Sequence, residues 1–169
     1  MFNPNEQLST KTLTISKLFS QGFFVVPANQ RTYRWDINQL NKLWGDIQSV
    51  LEDDFDLVDD ELITVNEPEG HFLGAVVVIG RDTNHSQDRW SVIDGQQRMT
   101  TFTILASCLY CFLTEVKDTK KQKTLRRALE SIISDADTGE DIPRLILNRN
   151  NDFFSASILD NITWEEKIK

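Results

Sequence analysis

The sequence predicts a small α+β domain in which a mixed β-sheet is flanked by helices. Three observations support this fold class. An apolar run at residues 90–93 is followed by a glycine and then by apolar residues at helical spacing as far as residue 115. Two further apolar runs, at residues 23–26 and 71–79, are typical of strands. Residues 37–51 carry an amphipathic helical pattern.

Length and charge restrict the class of protein. The chain has 169 residues, which is the length of about one domain. Its net charge of -8 argues against a module whose whole surface binds nucleic acid, although local basic patches are compatible with it. No apolar run approaches the ~20 residues of a membrane span, and the N-terminus has no signal-peptide pattern. We therefore expect a cytoplasmic protein without a membrane partner.

The N-terminal part is predicted to contain two short strands and two helices. Residues 12–15 have the composition of a strand, and residues 16–20 that of a capped helical turn. Residues 23–26 form a strong strand that stops at Pro27. Asp36 has the chemistry of an N-cap for the next helix, whose apolar stripe we expect in the core. That stripe consists of Ile37, Leu40, Leu43, Trp44, Ile47, Val50 and Leu51.

Residues 52–61 contain seven acidic residues in ten positions. Clustered carboxylates can bind a hard cation. Here the ligand spacing is irregular and glycine is absent, so we expect a solvated loop or an acidic interaction face instead.

The C-terminal part is predicted to be mainly helical. We expect a charged linker at residues 117–123, a helix at residues 124–134, a short strand at residues 142–148 and a further helix after it.

Cys108 and Cys111 lie in an apolar helix without a second cysteine pair or a nearby histidine, which predicts buried free thiols.

The turn from residue 94 to residue 101 carries the most chemistry. Asp94-Gly95 favours a tight turn, and the helix N-terminus after it presents unpaired N–H groups and about half a positive charge, which suit a phosphate. Arg98 opposes the helix dipole, and a bound anion would resolve that conflict. The structural alternative is that Arg98 pairs with Asp94 or with an acidic loop. Neutral hydrogen-bonding groups accompany Arg98: Gln96, Gln97, Thr100 and Thr101.

The loop after the 23–26 strand is the second candidate segment. It concentrates two arginines, two carboxamides and two aromatics in residues 29–35. Loops at strand ends often carry function because the strand fixes their position. We expect Trp35 to pack under the following helix, whereas both packing and function stay open for Tyr33.

These segments together resemble the N-terminal domain of the bacterial family that is marked by an Asp-Gly-Gln-Gln-Arg signature and typified by GmrSD-type modification-dependent restriction enzymes. That family is in turn similar to the ParB/sulfiredoxin fold, where a Gly-x-x-Arg turn at a helix N-terminus holds nucleotide phosphates. Gly95 to Arg98 occupies that place here, and Gln30-Arg31 corresponds to a Gln-Arg loop after an early strand. The matching pieces follow the family's order and cover most of the chain: residues 26–35, 43–47, 72–74, 92–101 and 143–148.

The resemblance implies a nucleotide-binding, NTP-hydrolysing domain of a DNA restriction or anti-phage defence protein. It implies a ParB-like core at residues 1–116 and a mainly helical extension at residues 117–169 that continues in a longer protein. A C-terminal His-Asn-His-type nuclease domain or subunit commonly cuts the DNA in such proteins. This sequence has two isolated histidines and no such motif, so we do not expect the chain alone to cleave DNA.

Both lines of reasoning point to one nucleotide site, with Arg31 and Arg98 facing each other across a cleft. Phosphoryl transfer needs mainly positioning and charge neutralisation, often with Mg²⁺. Asp94 would organise Mg²⁺ or the attacking water, and Gln97 or Gln30 would orient that water. The expected catalytic residues are Asp94, Gln97 and Arg98. The expected phosphate-binding residues are Gln30, Arg31, Arg34, Gly95, Gln96, Thr100 and Thr101; the NTP can be GTP, CTP, UTP or ATP.

Two other functions stay open. In the first, the chain is a non-enzymatic sensor in which the 30–35 loop and Arg98 contact DNA phosphates or a modified base, with Tyr33 and Arg34 as the contact candidates. The acid-rich remainder of the chain argues against this function. In the second, a regulatory subunit docks a basic partner through residues 52–61 and binds no ligand at the central turn.

Overall fold

A computed structural model describes residues 9–58, 61–64, 71–82, 89–114, 120–135, 142–148, 151–152 and 154–159. The chain has a mixed α+β fold, as predicted. Its helices are α1 (Ile15–Phe19), α2 (Ile37–Asp54), α3 (Gln96–Thr114) and α4 (Lys120–Ile133), with further helical residues at 151–152 and 154–159. Its strands are β1 (Phe23–Val25), β2 (Phe55–Val58), β3 (Glu61–Thr64), β4 (Val77–Asp82), β5 (Arg89–Asp94), β6 (Ser134–Asp135), β7 (Ile142–Pro143) and β8 (Leu145–Ile146).

The principal sheet has four strands in the order β4-β5-β1-β8. Strand β1 runs parallel to both of its neighbours, with Phe24 opposite Trp90 of β5 and opposite Leu145 of β8. Strand β4 is antiparallel to β5. Because β5, β1 and β8 are parallel, the segments that follow these three strands leave the sheet at the same edge.

The core lies between this sheet and the helices. Phe24, Val92 and Leu145, from three adjacent strands, are buried to within 1% of complete burial. The Phe19 ring of α1 packs edge-on against Phe24, with 5.8 Å between the ring centroids. One cluster joins these residues to α3, α4 and the C-terminal helical residues through Met99, Ala106, Tyr110, Leu129, Ile132, Ile133, Phe154 and Ile158. The sheet and the core therefore both include residues beyond position 116.

Strand β1 is also connected to the C-terminal strands through Arg144. The Arg144 guanidinium carbon lies 5.3 Å from the centroid of the Phe23 ring. Its Nη2 atom is 3.2 Å from Asp135 Oδ1, and both side chains are largely buried. Removing one member of such a pair would leave a buried charge without its partner. The register of β8 beside β1 comes from backbone bonds, in which Phe24 N donates to Arg144 O and Val26 N donates to Ile146 O.

Several predicted boundaries are corrected. Residues 12–14 do not form the predicted strand, because Thr14 is the N-cap of α1 and its Oγ1 accepts from Lys17 N at 3.3 Å. The strand predicted at residues 71–79 begins only at Val77, and α4 begins at Lys120, inside the predicted linker. The short strand predicted at residues 142–148 is divided into β7 and β8 at Arg144.

The acidic segment at residues 52–61 is not the predicted loop. Helix α2 continues through Asp54, and β2 then pairs with β3 in antiparallel register, with Val58 opposite Glu61. Residues 59–60 lie outside the described part of the chain. Phe55-Asp56-Leu57-Val58 and Glu61-Leu62-Ile63-Thr64 each contain one acidic residue among apolar and β-branched residues, a strand composition that the charge count obscured.

The existence of α2 and its cap at Asp36 are confirmed, but the burial of its apolar stripe is not. Asp36 Oδ1 accepts from Asn38 N at 2.8 Å. Of the seven stripe residues only Leu43 is buried, whereas Ile37, Trp44 and Leu51 are 64%, 51% and 47% exposed. Periodicity predicts that a helix has an apolar face, and the neighbouring elements determine whether that face is covered. No helix in the described ranges is long and apolar enough to cross a membrane.

Gly45 gives a direct test of α2. It lies within the helix, and a Cβ added at this position would have no neighbouring atom within 4 Å. Gly45→Ala should therefore stabilise the protein by about 0.5–1 kcal/mol, because alanine loses less backbone entropy on forming a helix. Urea unfolding followed by circular dichroism measures this change. A decrease in the free energy of unfolding would contradict the assignment of Gly45 to an uncrowded helical position.

Candidate functional site

Both candidate segments lie at the carboxyl edge of the parallel strands. The 27–35 loop follows β1, the Gly95 turn follows β5, and Leu147 and Asn148 follow β8. Ligands of sheets with parallel strands commonly bind outside this edge, since the connecting segments converge there. The sheet topology therefore brings together two segments that are more than sixty residues apart in sequence.

Two glutamines at the start of α3 hold the loop. Gln96 Nε2 donates to Arg31 O at 2.5 Å, and Gln97 Nε2 donates to Thr32 O at 3.2 Å. Gln97 Oε1 accepts from Arg34 N at 2.6 Å. The two side chains are only 8% and 6% exposed, and buried polar groups are costly unless they are hydrogen-bonded. We call these three bonds the glutamine contacts; they fix the backbone of residues 31–34 against the N-terminus of α3.

A second set of bonds ties the beginning of the loop to two strands. Asn148 Nδ2 donates to Pro27 O at 3.0 Å and to Gln30 O at 2.6 Å. Gln30 Nε2 donates to Ile93 O of β5 at 3.2 Å. Sequence reasoning gave Asn148 no role, although it lies in one of the segments that carry the family resemblance. From sequence alone, an asparagine that forms such bonds cannot be distinguished from an ordinary turn residue.

The hydroxyl groups predicted to bind phosphate are engaged within the protein. Thr100 Oγ1 and Thr101 Oγ1 donate to Gln96 O and Gln97 O at 2.8 and 2.9 Å. Thr101 Oγ1 also lies 3.1 Å from the hydroxyl oxygen of Tyr33. The structure thus places these threonines beside the glutamine contacts, where their hydroxyls join the loop to α3 and satisfy helix carbonyls.

The Arg98 side chain lies against Gly74, in the segment that precedes β4. Its Nη1 atom donates to Ala75 O at 2.8 Å. A Cβ added to Gly74 would be 2.7 Å from Arg98 Nε and 2.8 Å from Cζ, and Gly74 has a φ of +105°. Only a residue without a side chain leaves room for the guanidinium in this position. Sequence reasoning missed Gly74, whose signal was its place in the short Phe72-Leu73-Gly74 match.

The turn that precedes α3 has the predicted geometry. Gly95 has a φ of +92°, and a Cβ at this position would lie 2.9 Å from Val76 Cγ2. Met99 N makes the first helical bond to Gly95 O, and no described residue accepts from the N–H groups of Gln96, Gln97 or Arg98. Those unpaired groups are the ones that a helix N-terminus offers to an anion.

A cavity of about 550 Å³ opens beside α3. The loop, the first four turns of α3, the residues after β8 and the C-terminal helical residues all contribute to its walls. Arg31 is among its lining residues and Arg98 is not. Successive helix residues point about 100° apart, and Arg98 is directed toward Gly74 instead. The described cavity is therefore not the expected cleft between Arg31 and Arg98.

Two other predictions concern cysteine and metal. Cys108 and Cys111 are free thiols as predicted, but Cys108 is exposed and lines the cavity, so the expected burial is wrong for it. Asp94 is exposed at the end of β5. Within the described ranges no three histidine, cysteine, aspartate or glutamate side chains are grouped as a metal site.

The fold and the site define a small α+β domain in which an arginine-bearing loop is fixed to a helix N-terminus. Residues 15–169 match the family described as GmrSD restriction endonuclease, N-terminal domain, and the chain belongs to this family. Its place is therefore among the N-terminal domains of restriction enzymes. A comparison with curated proteins finds no match.

The glutamine contacts can be tested by replacing Gln97. Gln97→Met keeps the approximate shape but leaves Thr32 O and Arg34 N without their partners, which should reduce the free energy of unfolding by about 1–3 kcal/mol. Denaturant unfolding measures the loss. Gln48→Met on the exposed surface of α2 is the matched control and should be neutral. Equal stability of the two variants would show that the contacts contribute nothing.

Proposed function

We propose that the chain is the nucleotide-binding and NTP-hydrolysing domain of a restriction system. The observation that carries the proposal is the set of glutamine contacts, which hold the Arg31–Arg34 loop at the N-terminus of α3. Two exposed arginine side chains are thereby attached to a hydrogen-bonded backbone beside the N–H groups of the helix N-terminus. Such an arrangement suits a phosphate chain, because both the helix end and the guanidinium groups favour negative charge.

Each arginine has a different place in this proposal. The phosphates would lie over the N–H groups of Gln96 to Arg98, at the end of α3. Arg31 and Arg34, both exposed on the loop, would approach from one side, and Arg98 from the side of Gly74. The site is thus organised around the helix end, with the arginines on either side of it.

The hydrogen bonds of Gln97 and Gln30 determine which of the two side chains can orient the attacking water. Both ends of the Gln97 carboxamide bond to the loop backbone, so a role in orienting water would require one of those bonds to break. We therefore assign Gln97 as a positioning residue. Gln30 donates from its Nε2 atom to Ile93 O. None of the described residues donates to its side-chain oxygen Oε1, which would orient the attacking water.

Asp94 is suited to the acidic role in this site. Its carboxylate is exposed at the start of the turn, one residue before Gly95. Magnesium in nucleotide sites is commonly held by one or two carboxylates together with phosphate oxygens and water, so a single protein ligand fits this set. A magnesium ion in this site would neutralise phosphate charge. Asp94 would hold that ion, or would instead hold the attacking water directly.

Gly74→Ala tests Arg98 without removing its charge. The new Cβ would displace the guanidinium from its place on Gly74, and we expect NTP affinity to fall by about tenfold or more, as for Arg98→Ala. Gly80→Ala is the matched control, because Gly80 also has a positive φ, +65°, but no atom within 4 Å of the added Cβ. Isothermal titration calorimetry with each of the four NTPs measures the affinities.

The two glycine variants share the cost of a positive φ, so their difference isolates the displacement of Arg98. An equal NTP affinity in Gly74→Ala, Arg98→Ala and the unmodified protein would contradict the phosphate assignment. An equal loss in Gly74→Ala and Gly80→Ala would attribute the effect to backbone strain alone.

Asp94→Asn separates binding from chemistry. The variant keeps the size of the side chain and removes its charge, so we expect NTP hydrolysis to fall by about a hundredfold or more while the affinity for NTP changes by less than about threefold. Single-turnover release of inorganic phosphate measures hydrolysis, and calorimetry measures binding. Full hydrolysis by Asp94→Asn would exclude the proposed role.

The alternative sensor function draws support from the exposure of Arg31 and Arg34 and from Tyr33, which is 37% exposed on the same loop. It requires DNA binding that weakens steeply with salt and is unaffected by nucleotide, because counterions are released when phosphates are neutralised. A nucleotide-dependent response would favour the NTPase instead.

A further inference from the structure

We propose that α2 pairs with α2 of a second copy of the chain, with the two helices antiparallel about a two-fold axis at Trp44. The contact surface is a line of apolar residues that we call the α2 seam. It consists of Ile37, Leu40, Trp44, Ile47 and Leu51. This inference goes beyond the proposed function and does not depend on it.

The α2 seam has the spacing of a helix–helix contact. Its residues recur at alternating steps of three and four, so they follow one line along the helix, as the a and d positions of a heptad do. Ile37, Trp44 and Leu51 are exposed, and Leu40 and Ile47 are half-buried. The exposed members span about 21 Å of the helix. A continuous line of large exposed apolar side chains indicates a surface of contact with another molecule.

The order of residues in the α2 seam is symmetric about Trp44. Ile37 and Leu51 lie seven positions before and after it, and Leu40 and Ile47 lie four before and three after it. A two-fold contact uses the same patch on both partners, so that patch must match itself in reverse order. In an antiparallel pair centred on Trp44, Ile37 of each copy lies level with Leu51 of the other. A second copy therefore matches the seam along its whole length.

The charges at the two ends of α2 are complementary in this arrangement. Glu52 and Asp53 are exposed at the C-terminal end, where their charge adds to the negative end of the helix dipole. An antiparallel partner brings the positive end of its own dipole to this level. The exposed segment just before that end, residues 31–36, carries two arginines and one aspartate, a net charge of +1. A parallel partner would instead place the two acidic ends side by side.

The residues that flank the α2 seam do not repel a second copy. Asn41 and Gln48 are exposed on one side of it and are uncharged. In the antiparallel pair they meet the same two residues of the other copy, and carboxamides both donate and accept hydrogen bonds. Leu43 and Val50, on the other side, are turned toward the body of their own chain, since the first is buried and the second half-buried.

The first experiment places a charge at the two-fold axis. Trp44→Glu removes the central apolar contact and brings two carboxylates together. Ser49→Glu adds the same charge to an exposed position of α2 that points about 140° away from Trp44, so it is the matched control. Sedimentation equilibrium measures association from about 1 µM to about 500 µM, because a contact of this size belongs to the weaker class of interfaces.

We expect the unmodified chain to form a reversible dimer, Trp44→Glu to weaken dimerisation by about tenfold or more, and Ser49→Glu to change it by less than about twofold. Circular dichroism checks that both variants keep the helix content of the unmodified chain, which is expected because both positions are exposed in the single chain. A chain that stays monomeric at the highest concentration would overturn the inference and leave the α2 seam to a different partner. Equal weakening by both variants would overturn the seam as the interface.

The second experiment tests the direction of the pair without changing the α2 seam. Asn41→Cys and Gln48→Cys are made in two chains that carry tags of different length, in a Cys108→Ser, Cys111→Ser background that removes the native thiols. The chains are mixed and treated with a short bismaleimide. In the antiparallel pair, position 41 of one copy lies level with position 48 of the other, whereas identical positions are at least about 9 Å apart along the axis.

We therefore expect the product that joins the two different variants to exceed each product that joins identical variants by about fivefold or more. A majority of identical-variant products would show a parallel pair and overturn the inference. The same yield of all products in the presence of Trp44→Glu would show that the cross-links form by random collision, which would also overturn it.

Discussion

The site depends on the hydrogen bonds that two glutamine side chains make to the backbone of a loop. A loop of mixed polar and aromatic residues has no regular partner for its N–H and C=O groups, and those groups must be satisfied if the loop is to be ordered. The side chains of Gln96 and Gln97 supply hydrogen-bond partners for Arg31 O, Thr32 O and Arg34 N. Because both glutamines lie in the first turn of α3, ordering the loop and positioning it at the helix end are the same event.

The parallel pairing of β1 with β5 and β8 makes this contact available. Were β1 antiparallel to β5, its following loop would leave the sheet at the edge opposite to the Gly95 turn. Asn148 adds a bond from the third parallel strand to the beginning of the same loop. The polar contacts at this edge rest on buried residues of the sheet, among which Phe24, Val92 and Leu145 are nearly inaccessible to solvent.

The sequence was sufficient to predict the elements that are determined by short segments of the chain. The strand at residues 23–26, the strand-glycine-helix unit around Gly95 and the capped helix after Asp36 are all present, since alternation, a glycine turn and helical periodicity each arise within a short segment. The loop predicted at the acidic segment was wrong because the charge of the segment was weighed above its apolar and β-branched residues. The predicted burial of the α2 stripe was wrong because burial depends on which elements lie opposite the helix. Ile37 and Trp44 look like core residues in any reading of α2 alone.

The candidate site was predictable in its location and not in its contacts. Residue chemistry pointed to the Gly95 turn and the 30–34 loop, but a sequence does not reveal that Gln97 bonds to Thr32 or that Arg98 lies on Gly74. Such contacts join side chains to the backbone of distant residues. Because backbone N–H and C=O groups are the same for nearly every residue type, the sequence does not indicate which of them a side chain binds. Gly74 and Asn148 were visible only as parts of short matching segments.

The position of Arg98 against Gly74 restricts which residues related chains can carry at these two positions. In this geometry an arginine at position 98 excludes a side chain at position 74, and the φ of +105° at position 74 favours glycine whatever residue occupies position 98. Across a set of related chains, arginine at position 98 should therefore occur together with glycine at position 74, whereas glycine can remain at position 74 where the arginine has been replaced. The dependence between the two positions is thus one-sided.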